Sequence, residues 1–142
     1  MLKALLIIFV CNGAMATDFS GLYECQLTDH SDGPFTARLI LKKDESASFS
    51  EIDYGSYLVT FHVTGIPYDY SGMAAARGNE LALYFESVGQ NKNPDDRGVG
   101  IASMIVDQDK DGKKIVSLHK FYYEKSYKKK SNYGFERCIK IQ

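Results

Sequence analysis

The sequence predicts an all-β domain of seven to nine short antiparallel strands. Three observations carry this. Apolar and polar residues alternate with a period of two along most of the chain, and no helical stripe of useful length breaks the pattern. Turn-forming clusters separate the alternating runs. Two cysteines, Cys25 and Cys138, fall in the first and the last of those runs.

The 142 residues, 44% hydrophobic and 25% charged with 12 Gly and 3 Pro, have an ordinary globular composition. That excludes a disordered chain, a collagen-like repeat and a multi-domain enzyme. Residues 1–16 read as a secretory leader. Lys3 supplies a basic start, Ala4 to Val10 an apolar centre, and Ala14-Met15-Ala16 a small-x-small cleavage site. The apolar run is well short of the ~20 residues a membrane-spanning helix needs. Residues 17–142 are then one exported domain, periplasmic or secreted. Cys11, preceded by Phe9 and Val10 rather than by a small residue, belongs to the leader.

The strands follow in order. Phe19, Gly21, Tyr23, Cys25 and Leu27 share one face of the first. Phe35, Ala37, Leu39 and Leu41 define the second, and Tyr57, Val59, Phe61 and Val63 the third. Leu81, Leu83 and Phe85 define another, followed by the apolar run Val99 to Val106. Residues 114–124 alternate Ile115, Ser117, His119, Phe121 and Tyr123 with Val116, Leu118, Lys120 and Tyr122. The last strand sets Tyr133, Phe135, Arg137, Ile139 and Ile141 against Gly134, Glu136, Cys138 and Lys140. Residues 47–52 and 71–77 are weaker strand candidates. Turn chemistry marks Ser31-Asp32-Gly33-Pro34, Lys43-Asp44-Glu45, Asp53-Tyr54-Gly55, Arg77-Gly78-Asn79 and Asp111-Gly112.

This spacing fits an antiparallel barrel or a sandwich. In an oxidising compartment Cys25 and Cys138 are expected to pair. Their strands become neighbours only if the sheet closes, so the pairing selects an up-and-down barrel of about eight strands. One conflict remains in the pattern. Cys25 lies on the apolar face of its strand, whereas Cys138 alternates with the more apolar face of the last. A bulge at Gly134 is the expected remedy.

Several clusters bear on function. Asp107, Asp109, Asp111 and Gly112 spell D-x-D-x-D-G, the opening of a calcium loop, but the twelfth position is Leu118 rather than Glu. The expectation is therefore a solvated hairpin tip, with no metal or other cofactor; the alternative is a weak cation site on the three carboxylates Asp107, Asp109 and Asp111. Acidic residues dominate up to residue 109 and basic ones after it. Lys125, Lys128, Lys129 and Lys130, among tyrosines, form a patch suited to an anionic envelope surface; export argues against nucleic acid. Asp95-Asp96-Arg97 reads as a loop tip. His30, His62 and His119 lack metal-ligand spacing, and no nucleophile elbow appears. The chain is expected not to be an enzyme.

Two resemblances add to this. Phe19-Ser20-Gly21-Leu22-Tyr23 resembles the F-x-G-x-Y first-strand motif of lipocalins and fatty-acid-binding proteins, with Tyr23 where those families usually carry Trp. It implies an eight- to ten-stranded barrel with a small apolar ligand inside. It also implies that Phe19, Gly21 and Tyr23 close the floor, with Arg137 from the last strand covering Tyr23. Tyr23-Glu24-Cys25, the last-strand cysteine and Ser71-Gly72 resemble the small periplasmic lysozyme inhibitors, which would put Ser71 and Arg77 on an inhibitory loop. The expected function is non-enzymatic binding of an apolar or amphipathic ligand or an envelope lipid. The alternative is a protein-interaction module acting through its loops.

Overall fold

Eight antiparallel strands run β1 (Gly21–Asp29), β2 (Gly33–Lys43), β3 (Tyr54–Val63), β4 (Asp69–Arg77), β5 (Glu80–Val88), β6 (Arg97–Gln108), β7 (Lys114–Glu124) and β8 (Asn132–Lys140). The computed structural model describes residues 17–142, and the leader expected at 1–16 lies outside them. Each strand pairs with the next in sequence, and β8 returns to β1, giving a closed up-and-down barrel. No helix among the described residues is long and apolar enough to cross a membrane.

Alternation does what period two requires. Tyr23, Cys25 and Leu27 face inward from β1, as do Leu39 and Leu41 from β2, and Tyr57, Val59, Phe61 and Val63 from β3. Residues 71–77 fall within β4, as the pattern suggested. Residues 47–52 do not form a strand. Asp44 Oδ1 accepts from Ser46 N and Oγ, which caps a 3-10 turn over Glu45–Ala47, and a second turn covers Ser50–Ile52. The local side-chain acceptor wins over strand pairing there.

Cys25 and Cys138 form a disulfide, lying directly opposite one another with Cα atoms 3.9 Å apart. The β1–β8 and β7–β8 registers are continuous through Gly134, so no bulge reconciles the cysteines. Instead the apolar set of β8 faces outward, and Asn132, Gly134, Glu136 and Cys138 face the interior. Gly134 serves packing. A Cβ there would lie 2.4 Å from the Tyr122 ring, so only glycine lets that ring cross β8. Likewise a Cβ on Gly98 would lie 2.7 Å from the Phe85 ring. Small residues on β6 and β8 thus accommodate large inward rings from β5 and β7.

The disulfide joins residues 113 apart, and closing a loop of this size is worth about 4–5 kcal/mol in the chain-entropy account. The double substitution Cys25→Ala/Cys138→Ala is expected to lower unfolding stability by an amount of that order, read from urea denaturation.

Candidate functional site

The floor is built at the chain's two ends. Tyr23 is fully buried, its hydroxyl donating to Phe19 O at 2.8 Å, and Phe19 N donates to Tyr57 Oη at 3.2 Å. Gly21 has φ +141°, which lets the chain turn in beneath the barrel. Burial pushes the Tyr23 hydroxyl well above the ordinary phenol range. Arg137 does not cover this ring. It sits on the outward face of β8, opposite Gln26, and Lys140 Nζ stands 5.9 Å from the Tyr23 ring instead. The inward course of Cys138 sets this, because Arg137 is its neighbour and must point the other way.

At the opposite end, polar side chains seal the mouth. Asp29 Oδ2 accepts from Tyr122 Oη at 2.8 Å and from Asn132 Nδ2 at 2.6 Å. Asn132 Nδ2 also reaches Glu124 Oε2 at 2.6 Å. Asp96 is not at a solvated loop tip: it is fully buried, and its Oδ2 accepts from both Tyr68 and Tyr70 at 2.7 Å. Burial and the Asp96 carboxylate raise the Tyr68 hydroxyl to about 12, and raise Tyr70 further still. Tyr127 closes over the rim by donating to Asp32.

Burial pushes the Glu124 carboxyl up to about 8; Asn132 opposes the rise, and Asp96 and Asp29 reinforce it. Asp96 Oδ1 is buried with no hydrogen-bond partner among the described residues. Deeper inside, Lys120 and Glu136 form a buried ion pair at 2.7 Å, with Lys120 Nζ 4.4 Å from the centre of the Phe61 ring. Burial raises the Glu136 carboxyl, and Lys120 pulls it back down.

Between this seal and the core a space of about 50 Å³ remains, lined by Leu27, Phe61, Tyr70, Phe85 and Lys120. Small-molecule sites are on the order of 300–1,000 Å³, so this space has room for one or two waters. A groove of about 780 Å³ lies instead on the outer wall, across β3 to β7. Ala75 and Ala82 form its floor, and Leu58, Met73, Tyr84 and Ile101 its sides. It opens onto an apolar face: Val99, Ile101 and Ile105 of β6, Phe121 and Tyr123 of β7, and Tyr133, Phe135 and Ile139 of β8, each 40–62% exposed. The outward residues of β1 and β2 are mostly polar, among them Glu24, Gln26, Thr28, Thr36, Arg38 and Lys42, while single exposed apolar residues, Ile40, Leu58 and Met73, stand on β2, β3 and β4; the apolar surface is densest on β6 to β8.

The remaining sequence candidates are dispersed. Asp109 Oδ1 closes its own hairpin turn by accepting from Asp111 N and Lys113 N, Asp107 accepts from Gln108 N, and the three carboxylates do not converge on a common point. Lys128 is paired with Asp32, while Lys125, Lys129 and Lys130 are exposed at the sealed end. Ser71 and Arg77 lie within β4, not on a protruding loop. His62 pairs with Asp69 on the outer surface, His30 stacks on Tyr133, and His119 is exposed on β7.

Scans against protein-family models, curated proteins and solved structures find no match for this chain.

Breaking a buried ion pair by removing one member costs about 3–5 kcal/mol, whereas replacing both with apolar residues is close to neutral. Lys120→Met is therefore expected to destabilise by that amount, and Lys120→Met/Glu136→Met to recover most of it, by urea denaturation. The folded state keeps the Glu124 proton well above the ordinary carboxyl value of 4.5. Its contribution to stability is complete below that value and is lost as pH rises through about 8. The thermal midpoint should fall by a few degrees over this interval, and Glu124→Gln should flatten the fall.

Proposed function

We propose that the protein is an exported, non-enzymatic binding protein that engages its partner through the apolar outer face of β5 to β8 rather than through the barrel interior. One observation carries this reading: the space beneath the polar seal is only about 50 Å³, while eight large apolar side chains stand 40–62% exposed on β6 to β8. Soluble monomers rarely leave so large a contiguous apolar patch without a binding role. Charged side chains on the outer wall, among them Glu24, Arg38, Lys42, Glu80 and Arg137, argue for a docked molecule rather than a surrounding bilayer, because charges on the lipid face of a membrane barrel are destabilising. The disulfide and the leader-like start support export. The F-x-G-x-Y likeness to lipocalins and fatty-acid-binding proteins is read as a matter of architecture, since function resides in the site and not in the barrel.

A second reading is an amphipathic ligand whose apolar chain lies in the outer groove. The groove's volume of about 780 Å³ favours it.

Native mass spectrometry of protein isolated from its own host tests both. The wild type is expected to carry an associated mass that Phe121→Asp sheds, protein-sized for the first reading and lipid-sized for the second. A lipid-sized mass that Phe121→Asp retains would put the ligand inside the barrel and overturn both.

A further inference from the structure

Resting on the reading that the apolar face is the binding surface, we propose that its occupant is a second copy of this chain. The two copies would form a two-fold dimer whose axis runs along the strands between β6 and β7. Three features of the face point to this.

The first is area. A half-exposed large apolar side chain presents on the order of 100 Å², so the eight together offer roughly 800 Å², the share one partner gives to a standard-sized interface.

The second is charge. Strand register sets Glu80, Ser103, His119 and Arg137 in one row across β5, β6, β7 and β8. A two-fold axis between β6 and β7 lays each side of this row over the opposite side of its copy. Glu80 then faces Arg137 of the second copy, twice over. Both side chains are exposed, Glu80 accepts from Ser103 Oγ, and neither forms an ion pair among the described residues. Moving the axis onto β6 would instead bring Arg137 opposite Arg77, the row's member on β4. Charge thus favours the axis between β6 and β7 over one on β6.

The third is shape. The next row runs Ala82, Ile101, Phe121, Phe135. The same axis sets Phe135, the most exposed large apolar residue of β8 at 62%, over the small Ala82 of its copy, at the edge of the outer groove. Phe121 meets Ile101. A ridge on β7–β8 thus fits a hollow on β4–β5, reciprocally, as an isologous interface requires.

Size-exclusion chromatography with light scattering on the purified, oxidised protein tests the proposal. The wild type should have twice the chain mass at micromolar concentration. E80R alone, or R137E alone, opposes like charges at both contacts and should weaken the dimer roughly tenfold or more. An equimolar mixture of E80R and R137E should restore it, because in the mixed dimer one contact is the native pair and the other again has opposite signs, with the roles exchanged. That rescue also shows that both variants are folded. A single-chain mass for the wild type, or a mixture no better than either variant alone, overturns the dimer. If the wild type is a single chain yet carries another mass that Phe121→Asp sheds, the dimer falls and the binding face stands. If Phe121→Asp changes neither measurement, both fall.

Discussion

The direction in which Cys138 points decides the composition of both surfaces of the barrel. Its partner Cys25 lies between Tyr23 and Leu27 on the inward face of β1, and a disulfide between directly opposed residues requires both to point the same way. Strict alternation then leaves β8 no choice. Glu136 and Asn132 go inside, and Tyr133, Phe135 and Ile139 go outside, against their preferences taken one at a time. β7 answers by placing Lys120 against Glu136 and Glu124 against Asn132. A single covalent constraint thus installs charge in the core and leaves oily side chains in water.

Both consequences bear on function. The polar groups at this end are tied by hydrogen bonds and seal the mouth: Asp29, Tyr122, Glu124 and Asn132 link β1, β7 and β8, and Asp96 of the β5–β6 loop holds Tyr68 and Tyr70. A buried ion pair is weak evidence for stability but strict about geometry, and here it fixes which residues of β7 and β8 lie opposite. With only about 50 Å³ beneath the seal, the outer wall is the place that still has apolar area to offer.

The all-β class, the closed ring and the disulfide were legible in the sequence, because period-two patterning and two terminal cysteines are local, readable signals. The inward faces of β1, β2, β3 and β5 were legible for the same reason. β8 misled because hydrophobicity alone pointed its apolar face inward. The correct reading was available by taking Cys138 as the anchor and counting in steps of two, which also buries Glu136. Asp96 was opaque. Nothing in Asp95-Asp96-Arg97 marks one acid for burial, since its ligands Tyr68 and Tyr70 come from another part of the chain. Arg137 and Lys140 are both basic residues near the end of β8, and only their parity separates the outward one from the one near Tyr23.

Joining the first strand to the last also imposes an order of events. A ribosome delivers β1 well before β8, so until β8 arrives the growing sheet has two raw margins with unsatisfied amides and carbonyls. Pairing across a separation of 113 residues is the costliest contact to reach by chance and comes last. Until it does, those margins can recruit any neighbouring strand. Laying β8 against β1 satisfies those margins, and the disulfide within that pairing then holds the ring shut against reopening.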